Sequence, residues 1–162
     1  MSSDPFYIDR DKLQRLAQSC ECAIWLSNSD AELRPDIVRL LGSRIDPAEQ
    51  TISVFAPLNI SAGILRNLHQ NQQLSYMMAS LATLESFQIK GTYISHETCS
   101  EEEVAFQQAY IDGFIAFANR LGFDASPSYG IYFHQPSIKI TLSIGEIYEQ
   151  TPRNGTGKKL EL

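Results

Sequence analysis

The chain has 162 residues, a length typical of one domain with its own hydrophobic core, and we expect a single domain over residues 1–162. Its 13 Lys and Arg against 19 Asp and Glu give a formal net charge of −6, with the basic residues scattered, which disfavours a nucleic-acid partner or an anionic membrane surface. No apolar run approaches the ~20 residues of a membrane-spanning helix, and the first residues lack a secretory signal pattern, so we expect a cytoplasmic protein.

Three helices are predicted along the chain. The first covers residues 9–19, where an N-terminal aspartate can cap the start, and we expect it on the outside of the fold. The second covers residues 60–71, with Asn59 or Ser61 as its cap. The third and longest begins at Ser100, whose Ser-Glu-Glu-Glu pattern is a capping box, and ends near Gly122.

Five segments before the longest helix have the apolar patterns of strands, and turn-prone residues separate them. They cover residues 22–27, 34–45, 51–56, 74–81 and 85–95. The second and third of these form one hairpin, and the fourth and fifth form another. After the longest helix, a loop over residues 126–132 leads to a last strand that begins at Ser137, where apolar and polar residues alternate strictly. Residues 150–162 form a turn-rich tail.

This order of elements fits a mainly β, α+β fold, namely a small antiparallel barrel with peripheral helices, and it does not fit a βαβ array. The chain has no phosphate loop, no dinucleotide glycine fingerprint and no nucleophile elbow. Cys20, Cys22 and Cys99 lack the spacing of a disulfide framework or a zinc site, so we expect free thiols and no metal centre.

Three segments carry a resemblance to a known family. They are the helix segment 59–71, the strand motif Gln88-Ile89-Lys90-Gly91, and the tail that begins Gln150-Thr151-Pro152. Together they resemble the pyridoxamine 5'-phosphate oxidase-like, FMN-binding split β-barrel family, in its uncharacterised bacterial branch. The resemblance implies a homodimer with FMN bound at the subunit interface and a small-molecule substrate.

Arg39 and Arg44 match an arginine and a basic residue five positions later that the family holds near its flavin. An odd spacing puts two side chains on opposite faces of a regular strand. Both can reach one ligand only if the strand bulges or ends between them, and Gly42 is a natural place for that. Guanidinium groups suit phosphate recognition. The alternative is two solvated arginines on an exposed strand.

Ser61 lies where the family places the flavin phosphate, at the start of the helix after the third strand. The vitamin-processing oxidases have Ser-Arg-Lys at this point, whereas this chain has Ala62-Gly63-Ile64. Two positive charges are therefore missing. Ser61, the backbone amides and the strand arginines are left to hold a phosphate.

Gln88 and Lys90 occupy the place of a Gln-x-Lys-Gly strand beside the flavin ring in related sequences. By alternation the two side chains share a face, so both can address one edge of a ligand. A lysine there could also stabilise a reduced flavin. The alternative is an ordinary exposed strand with Gly91 at a bulge.

Two functional hypotheses follow. The first is an FMN-dependent oxidoreductase of unknown substrate, with cofactor contacts from Arg39, Arg44, Ser61, Gln88 and Lys90. The second, prompted by the missing Ser-Arg-Lys, is a non-catalytic protein that binds flavin, haem or a deazaflavin on the same barrel. No catalytic residue is assigned, although His134 is the histidine best placed for acid–base chemistry.

Overall fold

The computed structural model describes residues 8–127 and 135–161. Three helices lie in these ranges: α1 (Arg10–Gln18), α2 (Ala62–Leu68) and α3 (Glu101–Arg120). The same ranges contain nine strands, all paired antiparallel: β1 (Cys22–Ser29), β2 (Pro35–Arg39), β3 (Ser43–Asp46), β4 (Thr51–Pro57), β5 (Gln73–Ser80), β6 (Ser86–Thr98), β7 (Ser137–Ser143), β8 (Glu146–Glu149) and β9 (Lys159–Leu160).

The strands form two sheets that share the long strand β6. Its first half pairs with β5 on one side and β8 on the other, and this first sheet continues through β1 to β2. Its second half pairs with β7, and this second sheet continues through β4 to β3. At the junction, a Cβ atom on Gly91 would overlap the carbonyl oxygen of Ser143, so only glycine fits there.

The barrel closes through the chain itself where β2 passes into β3. The Leu40 amide donates to the Ile24 carbonyl in the first sheet, at 3.2 Å, and the Leu41 amide donates to the Phe55 carbonyl in the second sheet, at 2.7 Å. Gly42 follows with a positive φ of 143°, which residues with a side chain rarely adopt. β2 and β3, which stand at the two ends of the strand order, therefore follow each other directly in the chain and are separated by the break at Gly42.

The core lies between the two sheets and is filled by the inward side of each strand. Tyr76 is fully buried there, and its hydroxyl lies 2.8 Å from Ser43 Oγ, which donates to the Ala17 carbonyl at 2.6 Å. This chain of hydrogen bonds ties α1 to the barrel, because burial of a phenol requires a polar partner. Burial also raises the pKa of Tyr76, so the phenol stays protonated.

Helix α3 lies across the outside of the barrel where the two sheets meet. Its capping box is confirmed: Ser100 accepts from the Glu103 amide and Glu103 accepts from the Ser100 amide. The phenol of Tyr110 donates to the Cys22 carbonyl at 2.6 Å. Phe106 and Phe114 stand one turn to either side of Tyr110, so one aromatic face of α3 is turned towards the barrel.

Two predicted elements need correction, and two strands were not predicted. The strand expected over residues 34–45 is two strands, because the backbone breaks at residues 40–42. The helix expected over residues 60–71 is the shorter α2, preceded by a 3₁₀ turn at Leu58–Ile60. The sequence analysis missed β8 and β9, which are too short to show a clear alternation. The loop predicted over residues 126–132 lies mostly outside the described residues.

No helix within residues 8–127 or 135–161 is long and apolar enough to cross a membrane.

Candidate functional site

The outer face of the first sheet brings together several of the predicted residues. Strand alternation directs every second side chain away from the core. One outward row crosses five strands, with each residue opposite the next: Arg39, Trp25, Met77, Gln88 and Tyr148. Three strand spacings of about 4.8 Å separate Arg39 from Gln88, a Cα distance of about 14 Å. Arg39 and Gln88 thus belong to one surface.

A second row of outward side chains lies two residues away along each strand, and it lines a cleft. Ser27, Ser75 and Lys90 are register partners in β1, β5 and β6, and all three border the cleft. Its volume is about 300 Å³, at the lower end of the range for small-molecule sites. Asn71 and Gln73 border it as well, together with the apolar Pro35 and Leu74, and Lys90 is the charged residue in this lining.

The amide of Gln88 is held on both sides. Its Nε2 donates to Ser75 Oγ at 2.8 Å, and its Oε1 accepts from Gln150 Nε2 at 3.3 Å. Gln150 follows β8 and belongs to the tail. The Gln150 amide donates to the Ser86 carbonyl, and the Ser86 amide donates to Thr151 Oγ1, so the tail is fixed to the start of β6.

Lys90 is exposed, and its ammonium lies 4.9 Å from the centre of the Tyr148 ring. The Tyr148 hydroxyl donates to Glu146, which raises the pKa of Tyr148 and keeps the phenol neutral. Lys159 donates to the same carboxylate at 2.9 Å, which holds the pKa of Glu146 below its usual range. Glu146 is therefore engaged by Lys159 and Tyr148, and the charge of Lys90, its register partner, also contributes to lowering its pKa.

The two arginines both lie on the outside, because the break at Gly42 reverses the alternation between them. Arg39 stacks between Trp25 and Phe114, with its guanidinium carbon 4.6 and 5.0 Å from the ring centres. Arg44 lies 4.3 Å from the centre of Phe106. Phe106 and Phe114 are eight residues apart on α3, a rise of about 12 Å, so the two guanidinium groups do not meet at one point.

Arg39 and Arg44 also belong to different sheets. Arg39 is in the row that contains Gln88, whereas Arg44 faces outward from the second sheet, opposite Ser53. Of the two arginines, Arg39 therefore shares a surface with Gln88 and Lys90.

Ser61 is fully buried, and its hydroxyl donates to the Pro57 carbonyl at 2.6 Å. It precedes α2 without making a side-chain cap. Its hydroxyl proton is already committed to the backbone, so Ser61 has little to offer an incoming anion.

The carboxylate of Asp36 fills the space beside Gly63 at the start of α2. A Cβ atom on Gly63 would overlap Asp36 Oδ2, and Arg66 Nη2 lies 3.9 Å from the same oxygen. A negative group near these amides opposes a second one. The residues present therefore do not fit a phosphate at the start of α2, although the donors around Gln88 and Lys90 fit the acceptor edge of a flavin ring.

Within residues 8–127 and 135–161, no cysteine or histidine borders the cleft. Burial raises the pKa of Cys22 to about 12, so its thiol stays protonated. His96 pairs with the Tyr93 hydroxyl at 2.8 Å, and His134 lies outside the described residues. In the parts of the chain that the structure describes, no three His, Cys, Asp or Glu side chains come close enough to hold a metal ion.

Sequence reasoning missed Ser27, Ser75 and Gln150 as contributors to this surface. The two serines sit at alternate positions in strands that read as apolar, so only the register reveals that they face Lys90. Gln150 had a signal in the Gln-Thr-Pro start of the tail, but a contact between residues 62 positions apart cannot be read from a local pattern.

No protein-family model matches the chain, and no curated protein matches it. Solved structures do match. HupZ of Group A Streptococcus superposes with a TM-score of 0.55 at 12% identity, over 93% of this chain and 99% of that one. A Clostridium acetobutylicum protein related to general stress protein 26, of the pyridoxinephosphate oxidase family, gives 0.52 at 12% identity, over 96% and 97%. An F420 reductase gives 0.51 at 9% identity, over 83% and 94%.

These likenesses cover nearly the whole chain at low identity, so they establish the fold rather than a function. The predicted fold class is confirmed: the chain is a mainly β, antiparallel split barrel of the pyridoxamine 5'-phosphate oxidase-like type.

Proposed function

We propose that this protein binds a flavin, with FMN as the first candidate, on the outer face around Gln88 and Lys90, and that it acts as a flavin-dependent oxidoreductase on a small molecule. The observation that carries the proposal is the cleft of about 300 Å³ beside Lys90, bordered by hydroxyl and amide groups. Such a site suits a planar heteroaromatic ligand with carbonyl and nitrogen acceptors along one edge.

Each residue on this face has a distinct task in the proposal. Gln88 and Lys90 orient the ring, and the Lys90 ammonium stabilises negative charge that develops on it. Trp25 and Met77 provide apolar surface between Gln88 and Arg39. Arg39 is the group that would hold a phosphate. Arg44 contributes less because it lies on the second sheet, and Ser61 contributes less because its buried hydroxyl donates to the Pro57 carbonyl. A bound flavin supplies the transfer of electrons or hydride.

The proposal includes a homodimer with the ligand between the two copies. One protomer leaves the cleft open to solvent on one side, and Ile37, in the same outward row as Ser27 and Lys90, is 64% exposed. A second copy would cover this apolar group and complete the wall of the cleft. The small-molecule substrate and the cytoplasmic location remain parts of the same proposal.

The test is a visible absorption spectrum of the purified protein, followed by FMN titration and gel filtration on the same sample. We expect saturable binding to a dimer. Lys90→Met should weaken FMN binding about tenfold, the usual size of a lost charge-assisted contact, whereas Arg10→Met, which removes a positive charge far from the face, should not. A colourless protein that ignores FMN would overturn the proposal.

A second candidate is a non-catalytic protein that holds a flavin, a deazaflavin or haem on the same face. The observation that favours it is the Asp36 carboxylate beside Gly63, since weak retention of a phosphate suits a binding protein more than an enzyme that must keep FMN. The likeness to an F420 reductase makes a deazaflavin a reasonable probe. Binding without NAD(P)H-dependent reduction would support this candidate, and steady-state turnover would exclude it.

A further inference from the structure

The tail forms a turn that presents Gln150 to the cleft face. Thr156 Oγ1 donates to the Thr151 carbonyl, and the Gly157 amide donates to the Glu149 carbonyl. Arg153 binds Glu149 at 2.8 Å, and Glu149 also accepts from the Thr151 amide. The turn has a well-defined shape, and Gln150 at its start directs its amide to Gln88.

Three side chains then form a directed chain of hydrogen bonds. Gln150 Nε2 donates to Gln88 Oε1, so the Gln88 carbonyl is turned towards the tail and its NH₂ group towards Ser75. Ser75 Oγ accepts from Gln88 Nε2. A hydroxyl that accepts one hydrogen bond still has its own proton to donate. Within residues 8–127 and 135–161, no acceptor for that proton is found.

The free proton of Ser75 belongs to the row that borders the cleft. Ser75 is the register partner of Lys90 on one side and of Ser27 on the other, so the three Cβ atoms are about 5 Å apart in turn. The Lys90 ammonium has donors and no acceptor. Ser27 donates its own proton to the Ser75 carbonyl at 3.4 Å, so Ser75 Oγ and Lys90 Nζ are the groups of this row that offer hydrogen atoms to the cleft, and Ser75 Oγ keeps one further lone pair.

We propose that Gln150 is a positioning residue that fixes the direction of the Gln88 side-chain amide. Ser75 and Lys90 thereby form a row of hydrogen-bond donors, which we call the donor edge, and this edge selects ligands that present a carbonyl or an anionic acceptor. The inference deepens the proposed function, since it names the chemistry by which the face recognises its ligand. It assigns a task to the tail motif and to Ser75.

Substitutions at Gln150 can remove or reverse the chain of hydrogen bonds. Gln150→Leu removes the donor to Gln88. Gln150→Glu provides an acceptor instead, so the Gln88 amide turns over, its carbonyl faces Ser75, and Ser75 must donate to Gln88 and present a lone pair to the cleft. Ser75→Ala removes the donor outright. Gln73→Glu is the matched control, because it adds the same charge at the cleft without touching Gln88.

The first measurement uses the protein without ligand. In NMR spectra, the two side-chain amide protons of Gln88 can be assigned because their signals disappear in Gln88→Glu. In the wild type these two signals should be well separated from each other, because one of the two protons is hydrogen-bonded to Ser75. Both Ser75→Ala and Gln150→Leu should shift them, and Gln73→Glu should not. Unchanged Gln88 signals in Ser75→Ala and Gln150→Leu would overturn the proposed chain of hydrogen bonds.

The second measurement is titration with riboflavin, followed by quenching of its fluorescence. Ser75→Ala should weaken binding about fivefold, the range for one hydrogen bond, and Gln150→Glu about tenfold or more, because two acceptors then face each other. When Ser75→Ala is already present, adding Gln150→Glu should weaken binding by no more than adding Gln73→Glu does. Additive effects would show that Gln150 does not act through Ser75.

The two measurements separate this inference from the proposed function. If wild-type protein ignores riboflavin and FMN while the Gln88 signals respond as expected, flavin binding is wrong and the positioning role of Gln150 stands. If riboflavin binds and Ser75→Ala and Gln150→Glu leave its affinity unchanged, the flavin proposal survives and the donor edge is wrong.

Discussion

The surface around Gln88 and the region at the start of α2 differ in what they leave for a ligand. Around Gln88 the side chains are prearranged by neighbours in the protein, and a cleft of about 300 Å³ stays open beside them. At the start of α2 the Asp36 carboxylate takes the free space, and the Ser61 hydroxyl is committed to the backbone. In the proposed function, the surface around Gln88 receives the ring of the ligand, whereas the chain's own groups occupy the place expected for its phosphate.

The largest expected effect comes from Gly91→Ala, which tests whether the open surface depends on the junction between the sheets. A methyl group there would overlap the backbone carbonyl of Ser143, which cannot move as a side chain can. We expect a loss of about 3 kcal/mol or more in the free energy of unfolding, measured by chemical denaturation.

Gly122→Ala is the matched control for that change. Gly122 has a φ of 86°, and no atom of the described residues lies within 4 Å of the position that a Cβ would take there. Gly122→Ala should therefore lower the free energy of unfolding only by the strain of the left-handed backbone, about 1–2 kcal/mol. Equal losses at both positions would mean that the close approach of Gly91 to Ser143 has no energetic weight.

Arg39→Met sharpens the comparison because it removes the guanidinium that shares the outer face with Gln88 and leaves an unbranched side chain against Trp25 and Phe114. FMN affinity should fall about tenfold, the lower range for a charge-assisted hydrogen bond, and riboflavin affinity should not change. Arg44→Met, on the second sheet, should leave both affinities close to wild type. A larger loss from Arg44→Met would place the phosphate on the other sheet.

Asp36→Asn addresses the filled region directly. In the wild type we expect FMN and riboflavin to bind within a few-fold of one another, since the Asp36 carboxylate, three residues before Arg39 in β2, opposes the phosphate that Arg39 would hold. The Asp36 side chain is 37% exposed, so solvent screens its charge, and the substitution should tighten FMN by only about threefold. Glu32→Gln, which removes an exposed charge away from Gly63, serves as the control. An equal gain for riboflavin would show that charge against phosphate is not the cause.

The tail that holds the open surface should also show a pH dependence. Burial alone would raise the pKa of Glu149, but hydrogen bonds from Thr151 and Arg153 outweigh it and hold the pKa below its usual value of 4.5. A depressed folded pKa stabilises the fold above the unfolded value and loses that contribution as the pH falls through the folded value. The free energy of unfolding should therefore decrease as the pH falls below about 4.5.

Glu149→Gln isolates this contribution to stability. At pH 7 it should lower the free energy of unfolding by about 1 kcal/mol and flatten its acid dependence. Glu49→Gln, which removes an exposed carboxylate that forms no ion pair with the described residues, should retain the wild-type dependence. The same acid step in Glu149→Gln would assign the transition to another carboxylate.

Much of the fold is readable from local patterns in the sequence. The alternation after Ser137 predicts β7, and the capping box at Ser100 predicts the start of α3, since each depends on residues close together in the chain. Gly42 was named as a natural place for a break, but the segment 34–45 was predicted as one strand, and the structure divides it into β2 and β3. The short strands β8 and β9 were not predicted, because their identity depends on the edge of β6 that they complete.

The candidate site was readable only in part, for the same physical reason. Gln88 and Lys90 share a face by simple alternation. The Asp36 carboxylate beside Gly63, the stacking of Arg39 on Phe114 and the contact of Gln150 with Gln88 join residues far apart in sequence. Such contacts are fixed by the register of the whole sheet, and no local pattern encodes them.

Residues 146–161 are structurally part of the candidate binding face. Residues 159–160 pair with β8, the turn before them holds Gln150, and the Glu161 carbonyl accepts from the Ile8 amide. A protease that cuts the turn between Gln150 and Lys159 would act on the residues that orient Gln88. Such a cut should therefore weaken ligand binding before the barrel unfolds.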